Sequence, residues 1–222
     1  MSAIELTGKR YWLVGAGDGL GRALAHQMSQ AGIELVVSSR SEDKLQSLAD
    51  ELPGKATVEP VDIGDADSVA AAAEAVGEID GIVLLAGVYW PFSAKEWDCA
   101  QGVAMADVNF TGFMRVLGRV VPQFVERDAG HIVITSSLSA FRGLPGSIGY
   151  TASKAATMSL AECMHADLRH TGVRVQVANP GFIKTQLPDK NEFEMPFLME
   201  PETAAREMFE LMLTDNFKRA LR

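Results

Sequence analysis

The sequence predicts an α/β fold, a doubly wound parallel sheet covered by helices on both faces. Two observations carry this. Short, nearly continuous apolar runs alternate with segments of helical period along the whole chain, as expected when each strand is buried on both faces. The first such run enters a glycine-rich turn that opens directly into a helix. At 222 residues, with no repeats, low-complexity tracts or linker, the chain is expected to form one domain over residues 1–222.

The elements follow in order. Arg10-Tyr11-Trp12-Leu13-Val14 reads as a buried strand, and the turn Gly15-Ala16-Gly17-Asp18-Gly19-Leu20-Gly21 leads into a helix from Arg22 to Ala31. Ile33 to Ser38 is a second strand, followed by Ser39-Arg40 and a helix capped by Ser41 that runs to Leu52. Thr57 to Val61 is a third strand ending at Asp62-Ile63, and Asp65 to Val76 an alanine-rich helix. Ile79 to Leu85 is a fourth strand, ending at Ala86-Gly87. Asp107 to Phe124 reads as one long helix with Asn109 and Gly112 inside it. His131 to Ser136 is a fifth strand, after which the Tyr150 helix continues to about Arg169. Val173 to Ala178 is a sixth strand ending at Asn179-Pro180-Gly181. An irregular stretch from Gln186 to Glu200 precedes a last helix, Glu202 to Leu213, with Pro201 at its start. No strand is expected after that helix.

Composition narrows the function. The formal net charge is −9 with acids and bases mixed along the chain, a poor match to nucleic acid, which needs a basic stripe. No apolar run reaches the ~18 residues that span a bilayer, and the N-terminus lacks the basic and apolar regions of a signal peptide. Cys99 and Cys163 lack metal-ligand spacing and read as buried or free thiols. These features point to the cytoplasm.

Three groups of residues carry chemistry. In the first turn, Gly15-x-x-x-Gly19-x-Gly21 lets the backbone approach a pyrophosphate, and the following helix offers N–H groups and a positive dipole end. At the end of the second strand there is no acid to hold an adenosine 2′-hydroxyl, whereas Arg40 suits a 2′-phosphate; NADP(H) is therefore favoured over NAD(H). Asp18 adds negative charge nearby. The third group is Ser137 with Tyr150 and Lys154. Tyrosine and lysine four residues apart share a helix face, and an ammonium beside a phenol lowers its pKa from the usual ~10. Tyr150 is thus a proton donor and acceptor, and Ser137 stands at a strand end, where open α/β sheets place their sites. Asn109 marks either a kink or a functional amide, because its side chain competes for backbone hydrogen bonds. The small residues Ala86 and Gly87 admit either a flat cofactor or simple close packing.

Together these residues resemble the short-chain dehydrogenase/reductase family, of the compact one-domain, Rossmann-like type, over about Lys9 to Leu213. The family's Thr-Gly-x-x-x-Gly-x-Gly stands here as Val14-Gly15-x-x-x-Gly19-x-Gly21, and its Asn-Asn-Ala-Gly as Leu84-Leu85-Ala86-Gly87, with both asparagines replaced. Asn109, Ser137 and Tyr150-x-x-x-Lys154 match in full. The resemblance implies an oxidoreductase that moves hydride between a nicotinamide and a carbonyl or secondary alcohol. Tyr150 then gives or takes the proton, Ser137 orients the oxygen, Lys154 reaches the nicotinamide ribose, and Asn109 holds a water that feeds Lys154. It also implies cofactor contacts from Gly15, Gly19, Leu20, Gly21 and Arg40, from Asp62 and Ile63 at the adenine, and from Ala86 and Gly87. Tyr150, Lys154 and the loop Pro180, Gly181, Ile183 and Thr185 complete that set. A homo-oligomer, dimer or tetramer, is expected, although the family's seventh strand, which often supports four-subunit assembly, is expected to be missing.

The substrate is read as a small, apolar carbonyl or alcohol. Tyr89, Trp90, Pro91, Phe92, Phe141, Leu144 and Phe182 follow strand ends near the site. Phe193, Met195, Phe197, Leu198 and Met199 either line its pocket or pack on the core. Two other readings share the scaffold: an epimerase or dehydratase that retains NAD(H), and a non-catalytic NAD(P)-binding sensor. The glycine spacing disfavours the first, and the intact Tyr150 and Lys154 the second.

Overall fold

The computed structural model describes residues 4–184 and 198–221. Seven strands form one all-parallel sheet: β1 (Arg10–Val14), β2 (Glu34–Ser38), β3 (Ala56–Val58), β4 (Gly81–Leu84), β5 (Gly130–Thr135), β6 (Val173–Pro180) and β7 (Lys218–Leu221). Their order across the sheet is β3-β2-β1-β4-β5-β6-β7. The helices are α1 (Gly19–Gln30), α2 (Glu42–Glu51), α3 (Ala66–Val76), α4 (Cys99–Ala106), α5 (Gly112–Glu126), α6 (Ile148–Leu168) and α7 (Pro201–Met212). Chain order reverses between β1 and β4, which opens a crevice beyond their carboxyl ends, with Val14 paired to both Ser38 and Leu84.

Alternation along each strand sorts the core into two layers. Tyr11, Leu13, Leu35, Val37, Val83 and Val133 face α1, α2 and α7, packing on Leu24, Met28, Leu45, Leu48 and Met208. Trp12, Val14, Ile82, Leu84, Ile132 and Ile134 face the other way, onto Val69, Phe113, Val116, Val120 and Phe124 of α3 and α5. Both faces are therefore dry, as the continuous apolar strands require. Asp65 caps α3 by accepting from the Asp67 N–H at 2.9 Å, and Gly77, at φ 67°, ends it.

The structure corrects the sequence reading of the elements at three places. A seventh strand is present: β7 pairs with β6 in register, Val177 with Lys218 through Pro180 with Leu221. Three of its four residues are charged or small, so the run lacks the apolar signature of a buried strand; its position at the sheet edge explains that composition. The helix expected from Asp107 begins earlier, at Cys99, capped by Asp98. It passes through one π-helical turn, Asp107–Thr111, before α5. Ser41 occupies the N-cap position of α2 without a side-chain cap bond; instead the Ser39 hydroxyl accepts from the Ser41 N–H at 3.3 Å. Both cysteines are exposed free thiols. No described helix is long and apolar enough to cross a membrane.

Candidate active site at the carboxyl ends of the strands

The turn after β1 is shaped by what cannot fit there. Gly15 has φ 102°, and a Cβ on it would stand 2.4 Å from the Ala86 nitrogen; one on Gly21 would stand 2.0 Å from the Gly15 oxygen. Only glycine lets the ends of β1 and β4 and the start of α1 meet this closely. Asp18 holds the N-cap position of α1 but makes no cap bond. Its carboxylate is engaged by the Lys44 ammonium at 2.5 Å instead. The first-turn N–H groups around Gly19, Leu20 and Gly21 therefore stay open to an anion. Gly17 lies against this pair, since a Cβ there would be 2.9 Å from the Ser39 hydroxyl. Arg40 is exposed at the same edge and has no polar contact with any described residue.

Asp62 and Ile63 follow β3. The Asp62 carboxylate accepts from the Gly64 N–H at 2.9 Å and is exposed. The Ile63 side chain is buried against Gly112, where a Cβ would come within 2.8 Å of it. Ala86 and Gly87 follow β4, and a Cβ on Gly87 would sit 3.4 Å from Asn109 Oδ1 and 3.7 Å from Lys154 Nζ. Beyond β6, the Gly181 N–H donates to the Leu221 carbonyl at 3.2 Å. Ile183 is buried in a bridge to Met199. Met199 accordingly packs in the core, whereas Leu198 is exposed. Thr185, Phe193, Met195 and Phe197 lie outside the described residues.

The π turn determines where Asn109 points. Its side chain is fully buried and spans to the loop after β4: Val88 N–H donates to Oδ1 at 2.7 Å, and Nδ2 donates to the Val88 carbonyl at 2.9 Å and to Ser153 Oγ at 3.0 Å. Its main-chain carbonyl accepts from the Thr157 hydroxyl at 3.0 Å. The amide is thus occupied as a loop clamp, and the kink and the functional amide are one feature.

Ser137, at the end of β5, stands near enough to the Tyr150 phenol to lower its pKa, and its Oγ lies 3.4 Å from the Pro180 carbonyl. Lys154 is buried one helical turn beyond Tyr150, and its ammonium donates to the Thr135 carbonyl at 3.0 Å. Burial brings its pKa down to about 8. The expectation that Lys154 lowers the Tyr150 pKa is corrected here. Burial holds Tyr150 above the usual phenol range; the nearby Ser137 hydroxyl pulls it down, and neighbouring Tyr89 pushes it up. The Lys154 ammonium lies over the Tyr150 ring, 5.8 Å from its centre. Tyr89 packs edge-on against Tyr150 at 5.1 Å. Phe141 and Leu144 are exposed, whereas Phe92 turns away onto Trp97.

The structure therefore brings Asn109 and Lys154 to Gly87 and sets Ser137 near Tyr150 one turn from Lys154, beside a glycine cradle at the sheet's switch point. Glycines without room for Cβ, uncapped helix N–H groups and a buried cation fit a nicotinamide dinucleotide. The sequence reading did not single out Lys44 or Ser139. The only sequence signal for Lys44 is its lying one helical turn beyond Arg40.

The short chain dehydrogenase family model matches residues 9–195. An uncharacterized oxidoreductase of Myxococcus xanthus is 42% identical over 214 residues, covering 92% of this chain and 83% of that protein. An uncharacterized oxidoreductase of Staphylococcus saprophyticus is 30% identical over 210 residues, covering 91% and 90%. A solved short chain dehydrogenase/reductase family protein superposes with a TM-score of 0.88 at 28% identity, covering 98% of this chain and 97% of that one. The chain belongs to the short-chain dehydrogenase/reductase family. It is an NAD(P)-dependent oxidoreductase on a Rossmann-like fold.

Proposed function

We propose that the protein interconverts a small apolar carbonyl compound and its secondary alcohol, with NADP(H) favoured, and that Tyr150 is the acid and base. The observation that carries this is the buried Tyr150 with the Ser137 hydroxyl close enough to lower its pKa, and Lys154 buried one turn along the same helix with its ammonium beside Gly87. The bound nicotinamide supplies or accepts the hydride. When a carbonyl is reduced, its oxygen gains negative charge, and groups that donate to that oxygen lower the barrier. Ser137 donates a hydrogen bond to it and Tyr150 delivers the proton; in the reverse direction the Tyr150 phenolate takes the alcohol proton. Lys154 holds the ribose, and Asn109 keeps the loop carrying Gly87 in place. Gly15, Gly19, Leu20 and Gly21 hold the pyrophosphate. Asp62 and Ile63 border the adenine, and Pro180, Gly181, Ile183 and Thr185 the nicotinamide end.

Arg40 supports the NADP(H) preference, and the Lys44 ion pair offsets the negative charge of Asp18. Tyr89, Phe141 and Leu144 support an apolar substrate. A homo-oligomer belongs to the same reading. An apolar groove between α4 and α6, lined by Trp97, Val103, Phe110, Ala152 and Ala156, offers a self-association face, with Trp97 and Val103 each 63% exposed. Exposed free thiols suit a reducing cytoplasm.

The test is oxidation of NADPH and NADH against a panel of ketones, aldehydes and quinones, with Tyr150→Phe alongside. Turnover that Tyr150→Phe lowers by about 10²-fold or more supports the assignment. Cofactor binding without turnover of any compound favours a sensor, and a fully active Tyr150→Phe overturns the role of Tyr150.

A further inference from the structure

Ser137 Oγ is met by more groups than one hydroxyl can serve freely. Ser139 N–H lies 3.2 Å away, Ser139 Oγ 3.0 Å and the Pro180 carbonyl 3.4 Å, and the Tyr150 phenol is near enough for the Ser137 hydroxyl to lower its pKa. A serine hydroxyl has one proton and two lone pairs. The Ser139 N–H can only donate, so it takes one lone pair. The Pro180 carbonyl can only accept, so it takes the proton. A single lone pair is left for two hydroxyl protons, those of Ser139 and Tyr150.

We infer that Ser139 is a positioning residue whose hydroxyl fills that last lone pair, leaving the Tyr150 proton for the substrate oxygen and Ser137 as a donor only. The inference rests on the role given to Tyr150 above. In the substrate-free chain the Ser137 hydroxyl donates a long hydrogen bond to Pro180, which is readily redirected to a carbonyl oxygen or to the Tyr150 phenolate while the proton stays on Ser137. Without the Ser139 hydroxyl, Tyr150 donates to Ser137 instead. That bond stabilises the neutral phenol and withholds its proton.

The geometry is local and the change small. Ser139→Ala keeps the backbone N–H bond that shapes the turn after β5, and a thermal midpoint within a few degrees of the parent's reports an intact fold. The decisive measurement needs neither cofactor nor substrate. Tyr150 is titrated through its phenolate absorbance, as the difference between each protein and the same protein carrying Tyr150→Phe. Ser139→Ala is expected to move the midpoint up by about 0.5–1 pH unit, the size of one neutral hydrogen bond. It is also expected to lower kcat about five- to twentyfold, with KM changed less than about twofold. Ser139→Thr, which retains the hydroxyl, restores both. In a Ser137→Ala background Ser139→Ala has no further effect. An unchanged midpoint in Ser139→Ala overturns the inference, as does a shift that persists without the Ser137 hydroxyl. An inactive Tyr150→Phe beside a silent Ser139→Ala overturns this inference alone. A fully active Tyr150→Phe overturns the parent reading and this one with it.

Discussion

Asn109 and Val88 exchange two hydrogen bonds, 2.7 Å from the Val88 N–H and 2.9 Å to its carbonyl, so that a side-chain amide pairs with the backbone as a neighbouring strand would. This pairing braces the loop after β4, where Leu84 and Leu85 replace the asparagines expected of the family. Asn109→Ala removes both partners from Val88 and leaves its backbone groups unsatisfied. We expect a loss of about 2–4 kcal/mol in unfolding free energy and weaker cofactor binding, measured by urea titration and by NADPH fluorescence. Asn109→Asp keeps the acceptor alone and should fall between the two.

Lys154 combines an expected functional role with a stability cost. Its folded pKa, about 8, lies below that of an exposed lysine, near 10.5. Below pH 8 the folded state carries a buried charge that the unfolded chain solvates freely. Between those two values the unfolded chain binds the proton and the folded one does not, so stability rises with pH across that window. Lys154→Met should therefore stabilise the cofactor-free protein at neutral pH by about 1–3 kcal/mol, an advantage that fades toward pH 10, while turnover is lost. Thermal midpoints measured at pH 7 and pH 10 check the sign.

His131 gives a slope of the same sign at acid pH. It is buried with Nδ1 2.7 Å from the Tyr11 hydroxyl and Nε2 2.8 Å from Gln176 Oε1. Gln176 Nε2 donates to the carbonyls of Leu211, Thr214 and Asn216, so its oxygen faces the ring and Nε2 carries the ring proton. Burial and the nearby Arg174 charge bring the His131 pKa to about 3, against 6.5 for an exposed histidine. The unfolded chain gains a proton as pH falls through 6.5 that the folded chain refuses until about 3. Stability should drop over that range by up to about 1.4 kcal/mol per pH unit from this group. His131→Gln should flatten the acid limb of a stability–pH curve.

The Asp18–Lys44 pair bears on cofactor choice. Lys44→Ala exposes an uncompensated carboxylate beside Gly17 and should weaken NADPH binding more than NADH binding. Asp18→Asn should tighten NADPH, and Arg40→Ala should narrow the difference between the two cofactors about tenfold or more. Titrating both cofactors against all three variants decides this; an Arg40→Ala that binds NADPH as the parent does would remove the 2′-phosphate assignment.

Much of this fold is legible in the sequence, because buried parallel strands are apolar throughout and glycine turns punctuate them. Six strands and the order of the site residues follow from that. β7 does not, since Lys218-Arg219-Ala220-Leu221 draws its stability from pairing with β6 rather than from its own composition. Nor does the start of α4 at Cys99, where Gly102 interrupts a short helix whose apolar signal is weak. Spacing puts Tyr150 and Lys154 on one helix face, but the direction of the Tyr150 shift depends on burial and on its Ser137 and Tyr89 neighbours. Both depend on long-range packing. The same holds for Lys44, whose partner lies 26 residues away.

The edge strand β7 also braces the chain just beyond β6. Its Leu221 carbonyl holds the Gly181 N–H, and the adjacent Pro180 carbonyl faces Ser137 Oγ. Four residues at the far margin of the sheet thus hold the loop against which the serine proton rests. Removing Lys218–Leu221 is expected to register first in kcat and only later in unfolding, so that a lesion at the sheet's rim presents as a catalytic defect. Turnover and thermal midpoint of that deletion, compared side by side, show which falls first.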